Sequence, residues 1–150
     1  MTSITDKPQV TGSHGFVIGT DKVIAEVDPL EADMIFLPGG MPGTKNLEES
    51  EAVVAALKKA AEAGKRLAAI CAAPRVLGMN HLLEGKKATC YPGNEEKLPG
   101  AIYTHDGVVT DGLVSTARGL GYAFELGIEL IKLLCGEEKA KQIYDSIQME

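Results

Sequence analysis

Of the three cysteines in the chain, Cys71 has a setting suited to nucleophilic chemistry. It closes the apolar run Leu67-Ala68-Ala69-Ile70, and Ala72, Ala73 and Pro74 follow at once. Val76, Leu77, Gly78 and Met79 then read as the first turns of a helix. A turn between a strand end and a helix start exposes the sulfur, and free N–H groups there favour its thiolate. Most free cysteines act only as small buried hydrophobes, so the setting has to carry the reading. Cys90 follows Ala88-Thr89 and reads as a strand end, whereas Cys135 ends an apolar helix and reads as core or helix-end packing. Only Cys71 combines strand, turn and helix.

A second stretch bears on the same chemistry. Met34-Ile35-Phe36-Leu37 is a continuous apolar run closed by Pro38-Gly39-Gly40, with Met41-Pro42-Gly43 after it. Glycines let a backbone come close to another group, and free N–H groups in such a loop can hold an anion. The alternative is a plain strand-to-helix loop. Histidine offers less. His14 lies in a turn between Ser13 and Gly15, and His105 lies in a loop.

The elements that position these residues follow from periodicity. Met1 to Lys7 is polar and lacks helix signals. Residues 8–21 alternate glycines with β-formers and read as a hairpin or two short strands. Val23 to Val27 reads as a short strand or helical turn, broken by Asp28-Pro29. Met34–Leu37 reads as a strand buried on both faces, as parallel sheets require. Asn46 or Ser50 is the expected cap of a helix carrying Ala52, Val53, Ala56, Leu57, Ala60 and Ala61 on one face and ended by Gly64. The helix after Pro74 ends before Gly85. Lys87 to Tyr91, Ala101 to Thr104, Val108 to Asp111 and Leu113 to Thr116 read as strands. Ala117-Arg118-Gly119-Leu120-Gly121 is again a glycine-bearing loop before a helix. That helix, Tyr122 to Leu134, is expected to bury Phe124, Ile128, Ile131 and Leu134. A last amphipathic helix, Glu137 to Ile147, sets Ala140, Ile143, Tyr144 and Ile147 on one side. The loops at Gly39-Gly40, Cys71 and Gly119-Gly121 therefore each follow a buried strand. In a parallel α/β sheet such ends meet at one edge, the usual ligand crevice. The expected architecture is a three-layer α/β domain with a thiol at that crevice.

Composition agrees with a folded domain and narrows its partners. The chain has 150 residues, 45% apolar and 24% charged, with a net charge of −6, which lies in the globular range. No cluster of Lys and Arg stands out and Trp is absent, so nucleic-acid partners, base stacking and acidic membranes are not expected. Three widely spaced cysteines suit a reducing compartment rather than a disulfide framework. No signal peptide is read at the N-terminus and no apolar run is long enough to span a bilayer. A cytoplasmic location is therefore expected. No metal site is read from the sequence.

The chain resembles the ThiJ/PfpI superfamily, and within it the Parkinson-protein/YajL branch. The matching segments are Val10 to Gly15, Asp33 to Gly43, Asn46-Leu47, Ala69-Ile70-Cys71-Ala72-Ala73-Pro74, Asp111-Gly112-Leu113 and Ser115 to Gly119. The resemblance implies a flavodoxin-like (class I glutamine amidotransferase-like) α/β sandwich with a mostly parallel sheet, assembled as a homodimer and needing no cofactor. It makes Cys71 an elbow nucleophile, with the Gly39-Gly40 loop and Ala72 supplying backbone N–H groups to an oxyanion. Attack on a carbonyl creates an alkoxide, and fixed N–H donors stabilise it. His14, Tyr91 and Arg118 are candidates to line the site.

The implied function is carbonyl-stress defence. A glyoxalase or deglycase would convert small reactive aldehydes or repair glycated thiols and amines. The alternative is a redox-sensing or chaperone-like protein whose Cys71 is oxidised, inactive as an enzyme. A PfpI-type intracellular protease is a weaker third reading, because such hydrolase chemistry needs a histidine beside the cysteine and Tyr91 stands where some relatives have one. The resemblance also implies a strand and helix ahead of the segment that starts here, with a glutamate lying against the cysteine. The single domain, residues 1–150, is thus expected to be N-terminally truncated relative to the family. Its acid/base glutamate would be absent, its turnover slow or nil, and strands beside the missing one would have unpaired edges.

Overall fold

The computed structural model describes residues 1–149. The chain begins with β1 (Thr2–Ser3), which the polar opening did not announce. The expected hairpin forms as β2 (Gln9–Thr11) and β3 (Val17–Gly19), paired antiparallel. The next segment takes both readings in turn. β4 (Lys22–Val23) pairs in parallel with β1, and a 3-10 turn over Ile24–Glu26 follows.

The central sheet has β5 (Met34–Leu37) at one edge, then β6 (Arg66–Ile70), β10 (Val114–Ala117) and β9 (Val108–Asp111). β5, β6 and β10 run parallel, and β9 returns antiparallel beside β10. β6 and β10 are buried almost throughout, as the middle of a two-sided sheet must be. β5 departs from expectation. It is not buried on both faces, for Phe36 is 46% exposed. Strand β6 covers one edge of β5, and no strand pairs with the other among the described residues.

Two helices rather than one connect β5 to β6. α1 (Gly43–Glu49) contains Asn46, so Asn46 is no cap. α2 (Glu51–Glu62) starts at Ser50, whose hydroxyl accepts the Val53 N–H at 3.4 Å. α2 buries Val53, Leu57 and Ala60, the face read from the sequence. α3 (Pro74–Met79) follows the Cys71 turn with proline in its first turn, where a missing N–H costs nothing. β7 (Lys87–Ala88) and β8 (Ile102–Tyr103) form a short parallel pair. The strand expected to continue to Tyr91 stops at Ala88, because its next donors are taken elsewhere. Thr89 N–H bonds the Thr116 hydroxyl at 2.9 Å, and Tyr91 N–H bonds the Cys71 carbonyl at 2.7 Å.

α4 (Ala123–Cys135) and α5 (Glu137–Ser146) close the chain. The stripe expected on α4 is rotated. Leu126 is buried, with Ala123 and Leu130 packed beside it against Ile70 and Ala117. Phe124 and Leu134 are 70% and 46% exposed. α4 is apolar on most of its circumference, so period alone could not choose its inner face. Cys135 is exposed at the helix end and belongs to no core. In α5 Ala140 is buried, while Ile147 lies beyond the helix and is exposed. Among the described residues no helix is long and apolar enough to cross a membrane.

The main core lies between α2, α3 and the sheet, where Leu57, Leu67, Val76, Leu77, Leu83 and Cys90 are wholly buried. Burial, then the negative charge of Glu95, pushes the Cys90 thiol from its ordinary value of 9.0 up to about 11. In the unfolded chain this thiol ionises near its ordinary value, so its stabilising effect is intact below about pH 9 and is lost as pH climbs towards 11. Urea midpoints measured between pH 7 and 10.5 should fall less steeply for Cys90→Ala than for the parent chain. Equal slopes would show that Cys90 does not contribute.

Helix α3 also meets the 3-10 turn at Glu95–Lys97 without room to spare. A Cβ on Gly78 would lie 2.3 Å from the Lys97 carbonyl oxygen and 2.8 Å from Leu98 Cα. Alanine is the better helix former by about 1 kcal/mol, but the overlap is with backbone. Gly78→Ala should therefore destabilise the chain by about 1–3 kcal/mol. At this length that lowers Tm by roughly 2–4 °C per kcal/mol. A rise in Tm would show that the turn gives way.

Candidate active site

The parallel order of β5, β6 and β10 brings their C-terminal ends to one edge, with Leu37 beside Ala69 and Ala117 beside Ile70. Cys71 is the first residue past β6. Its φ is +64°, a region that L-residues other than glycine rarely adopt. Such a conformation costs on the order of 1–3 kcal/mol and persists only where neighbours over-determine it. Here they do. The Cys71 N–H donates to the Ala117 carbonyl at 2.8 Å, and the Cys71 carbonyl accepts from Tyr91 N–H at 2.7 Å. Ala73 N–H then donates to the Ile70 carbonyl at 3.0 Å and closes the turn. Both backbone groups of Cys71 are thus fixed, and its half-buried side chain is aimed by them.

The glycine loop lies directly against this elbow. A Cβ on Gly39 would fall 2.6 Å from Cys71 Cβ, 2.6 Å from the Ile70 carbonyl oxygen and 3.4 Å from Ala72 N. No side chain fits there, so glycine is required at 39. Gly40 has φ +90°, and its carbonyl accepts the Thr44 N–H at 2.8 Å at the start of α1. The N–H groups of Gly39, Gly40 and Ala72 donate to no acceptor among the described residues. Donors left free beside a thiol can accept a thiolate, an alkoxide or an oxidised sulfur.

An ion pair ties the two sides of this cradle together. Arg75, in the first turn of α3, meets Glu48 of α1 at 2.8 Å, with both side chains about one-fifth exposed. The helix after the cysteine is thereby bound to the helix after the glycine loop. The sequence reading missed this pair, since its partners lie 27 positions apart and on different helices.

In front of Cys71 lies an open hollow of about 530 Å³. Its walls are Gly39 and Gly40, Phe36 and Ile70, and the Leu126 face of α4. Cys71 is the one titratable side chain lining it. His14, Tyr91 and Arg118 stand outside these walls. His14 is exposed in the β2–β3 turn, with Nδ1 3.0 Å from the Ser13 hydroxyl. Tyr91 is 52% exposed and lies against Gly119, reaching the elbow only through its backbone. Arg118 donates its N–H to the Gly107 carbonyl at 2.9 Å and its guanidinium reaches the His105 carbonyl at 3.5 Å. No cluster of three His, Cys, Asp or Glu able to hold a metal occurs among the described residues.

Comparison with known proteins bears on this geometry. A sequence model described as the DJ-1/PfpI family matches residues 2–133. Protein DJ-1 homolog B of Arabidopsis thaliana is 36% identical over 151 residues, covering 99% of this chain and 34% of that protein. Protein dj-1beta of Drosophila melanogaster is 36% identical over 125 residues, covering 82% of this chain and 67% of that protein. The chain thus spans about a third of the length of the plant relative. Among solved structures, oxidised Toxoplasma gondii DJ-1 superposes with a TM-score of 0.91 at 35% identity, covering 97% of this chain and 80% of that one. Drosophila melanogaster DJ-1beta gives a TM-score of 0.89 at 33% identity, covering 95% and 77%. With the fold, the elbow cysteine and the sequence match in agreement, the chain belongs to the DJ-1/PfpI family.

Proposed function

We propose that the chain carries the thiol centre of a carbonyl-stress defence protein, with Cys71 adding to small reactive aldehydes. The observation that carries this reading is Cys71 held at φ +64° beside three backbone N–H groups without acceptors. The thiolate attacks the aldehyde carbon of methylglyoxal, and the carbonyl π pair becomes an alkoxide on oxygen. The N–H groups of Gly40 and Ala72 hold that alkoxide, and protonation gives a hemithioacetal. Transfer of the proton on the former aldehyde carbon to the neighbouring carbonyl carbon, through an enediol, gives a thioester. Water then releases lactate and returns the thiol. Among the described residues Cys71 is the one titratable side chain lining the hollow, so on this reading water takes part in the proton transfers of this chain.

Lactate formed from methylglyoxal by the purified chain should fall to the solution background in Cys71→Ala. Equal rates in the two proteins would overturn the mechanism. Gly39→Ala, which pushes a methyl into the elbow, should lower the rate at least as far as it lowers adduct formation at Cys71.

A redox reading is favoured by the same free donors, because they suit a sulfinate as well as an alkoxide. Two-step oxidation of the Cys71 thiolate by peroxide gives a sulfenic and then a sulfinic acid, each step consuming one peroxide and releasing one water. Intact-mass and peptide analysis after mild peroxide should place the added oxygens on Cys71 ahead of exposed Cys135 and buried Cys90. Oxidation of Cys135 first would count against it. Ordered oxidation at Cys71 without lactate formation would select the sensor over the enzyme.

A further inference from the structure

The edge of the sheet opposite Cys71 gathers positive charge from segments far apart in the chain. Arg66 opens β6, Lys86 and Lys87 stand at the start of β7, and Gly112 lies in the two-residue turn between β9 and β10. No run of Lys and Arg announces this group, because residues 66, 86 and 112 meet only in the folded sheet. At about 3.3 Å per residue, Arg66 stands roughly 16 Å along β6 from Cys71.

Two of the cations converge on Gly112. Arg66 Nη1 lies 3.4 Å from the Gly112 carbonyl oxygen. Lys86 Nζ lies 4.0 Å from the point that a Cβ on Gly112 would occupy, and no other atom outside the turn comes so near. The face of the turn is therefore open. Gly112 is exposed, and its N–H donates to no acceptor among the described residues. Arg66 makes one side-chain hydrogen bond, so the other donors of its guanidinium are unused among the described residues. Both Arg66 and Lys86 are half-buried, which narrows where their charged heads can go.

Carboxylates do not neutralise this group. Lys45, Lys59, Arg75, Lys132 and Lys141 each form an ion pair. Arg66, Lys86 and Lys87 form none among the described residues. The adjoining carboxylate, Asp111, accepts the Lys87 backbone N–H at 2.8 Å and so ties the turn to the start of β7. The chain as a whole carries a net charge of −6, so an unpaired positive group is a local exception to its field.

We propose that the β9–β10 turn is a binding site for a phosphate group, held by the Arg66 guanidinium, the Lys86 ammonium and the Gly112 N–H. Chemistry selects phosphate over a carboxylate. Two unpaired cations match a dianion, and three terminal oxygens match donors arriving from three segments. A carboxylate brings one charge and two oxygens, and leaves one of those donors unmet. The bare face of Gly112 lets an oxygen reach the backbone N–H. Inorganic phosphate and a phosphomonoester present the same terminal oxygens. The site is independent of the reaction proposed for Cys71.

The test follows backbone amides of the whole chain by NMR during titration with inorganic phosphate, glycerol phosphate and acetate at matched ionic strength. Phosphate should shift the Gly112 and Lys86 amides along one saturating curve. Arg66→Gln and Lys86→Gln should each weaken that binding about tenfold. The Lys86 side chain makes no hydrogen bond among the described residues, so Lys86→Gln reads binding without disturbing the turn. Lys58→Gln, at an exposed position on α2, should leave binding unchanged. Three results would each overturn the proposal. They are shifts that never saturate, acetate binding as tightly as phosphate, and equal weakening by Lys58→Gln. Glycerol phosphate binding at least as tightly as phosphate would assign the site to an ester, and binding of phosphate alone would assign it to the free anion; either supports the site. Cys71→Ala should bind phosphate like the parent chain, so failure here and failure of the Cys71 mechanism are told apart.

Discussion

The site depends on the contact between two backbones where the Gly39 loop touches the Cys71 elbow. With a Cβ at 39 placed 2.6 Å from Cys71 Cβ, the ends of β5 and β6 could not close to this separation. Closure is what brings the Gly39-Gly40 loop, whose N–H groups have no acceptor among the described residues, against the Cys71 elbow. It also fixes the elbow in a conformation that a free chain would avoid. The strain at Cys71 is met by hydrogen bonds to two other segments, at Ala117 and Tyr91. The elbow is thus a junction of three pieces of chain that are distant in sequence and joined only in the fold.

The surrounding packing serves that junction. Arg75 and Glu48 hold α3 against α1, so the two helices that leave the cradle cannot drift apart. A partly buried, hydrogen-bonded pair of this kind adds geometric definition even where its net stabilisation is small. Thr116, one residue before the end of β10, takes the Thr89 N–H on its hydroxyl and draws the Cys90–Tyr91 segment under the elbow. Cys90 is consequently buried with a thiol that stays protonated, while Cys71 half faces the hollow. Two cysteines at comparable sheet edges receive opposite environments from the same set of contacts.

The apolar strip along β5 and α4 has a different character. Phe36, Leu120 and Phe124 are exposed to 46%, 85% and 70%. A contiguous apolar surface of this sort marks a place that another group covers. The hollow before Cys71 adjoins that strip through Phe36 and Leu120. What settles there would decide how much water reaches the sulfur, and so which carbonyl or oxidant it meets.

Much of the architecture was legible in the sequence. Continuous apolar runs marked β5 and β6, β-formers marked β10, and glycine or proline after each marked the ends that meet. The i, i+3, i+4 spacing of Val53, Leu57 and Ala60 gave the inner face of α2, because its other face is charged. The Cys71 setting and the approach of Gly39-Gly40 could be read from residue type and order, since only a small side chain or none suits such turns. Other features were illegible for physical reasons. α4 is apolar nearly all round, so only the sheet surface selected Leu126 over Phe124. The strand expected through Tyr91 ends at Ala88 because its donors go to Thr116 and Cys71, partners that no local pattern names. The Arg75–Glu48 pair exists only once the helices after β5 and β6 have been placed in space. The sequence by itself determined which residues form strands, helices and the reactive turn, since those rest on local backbone and side-chain preferences. Tertiary structure alone decided which donors remained free around Cys71, because that is a difference between bonds offered and bonds used across distant segments.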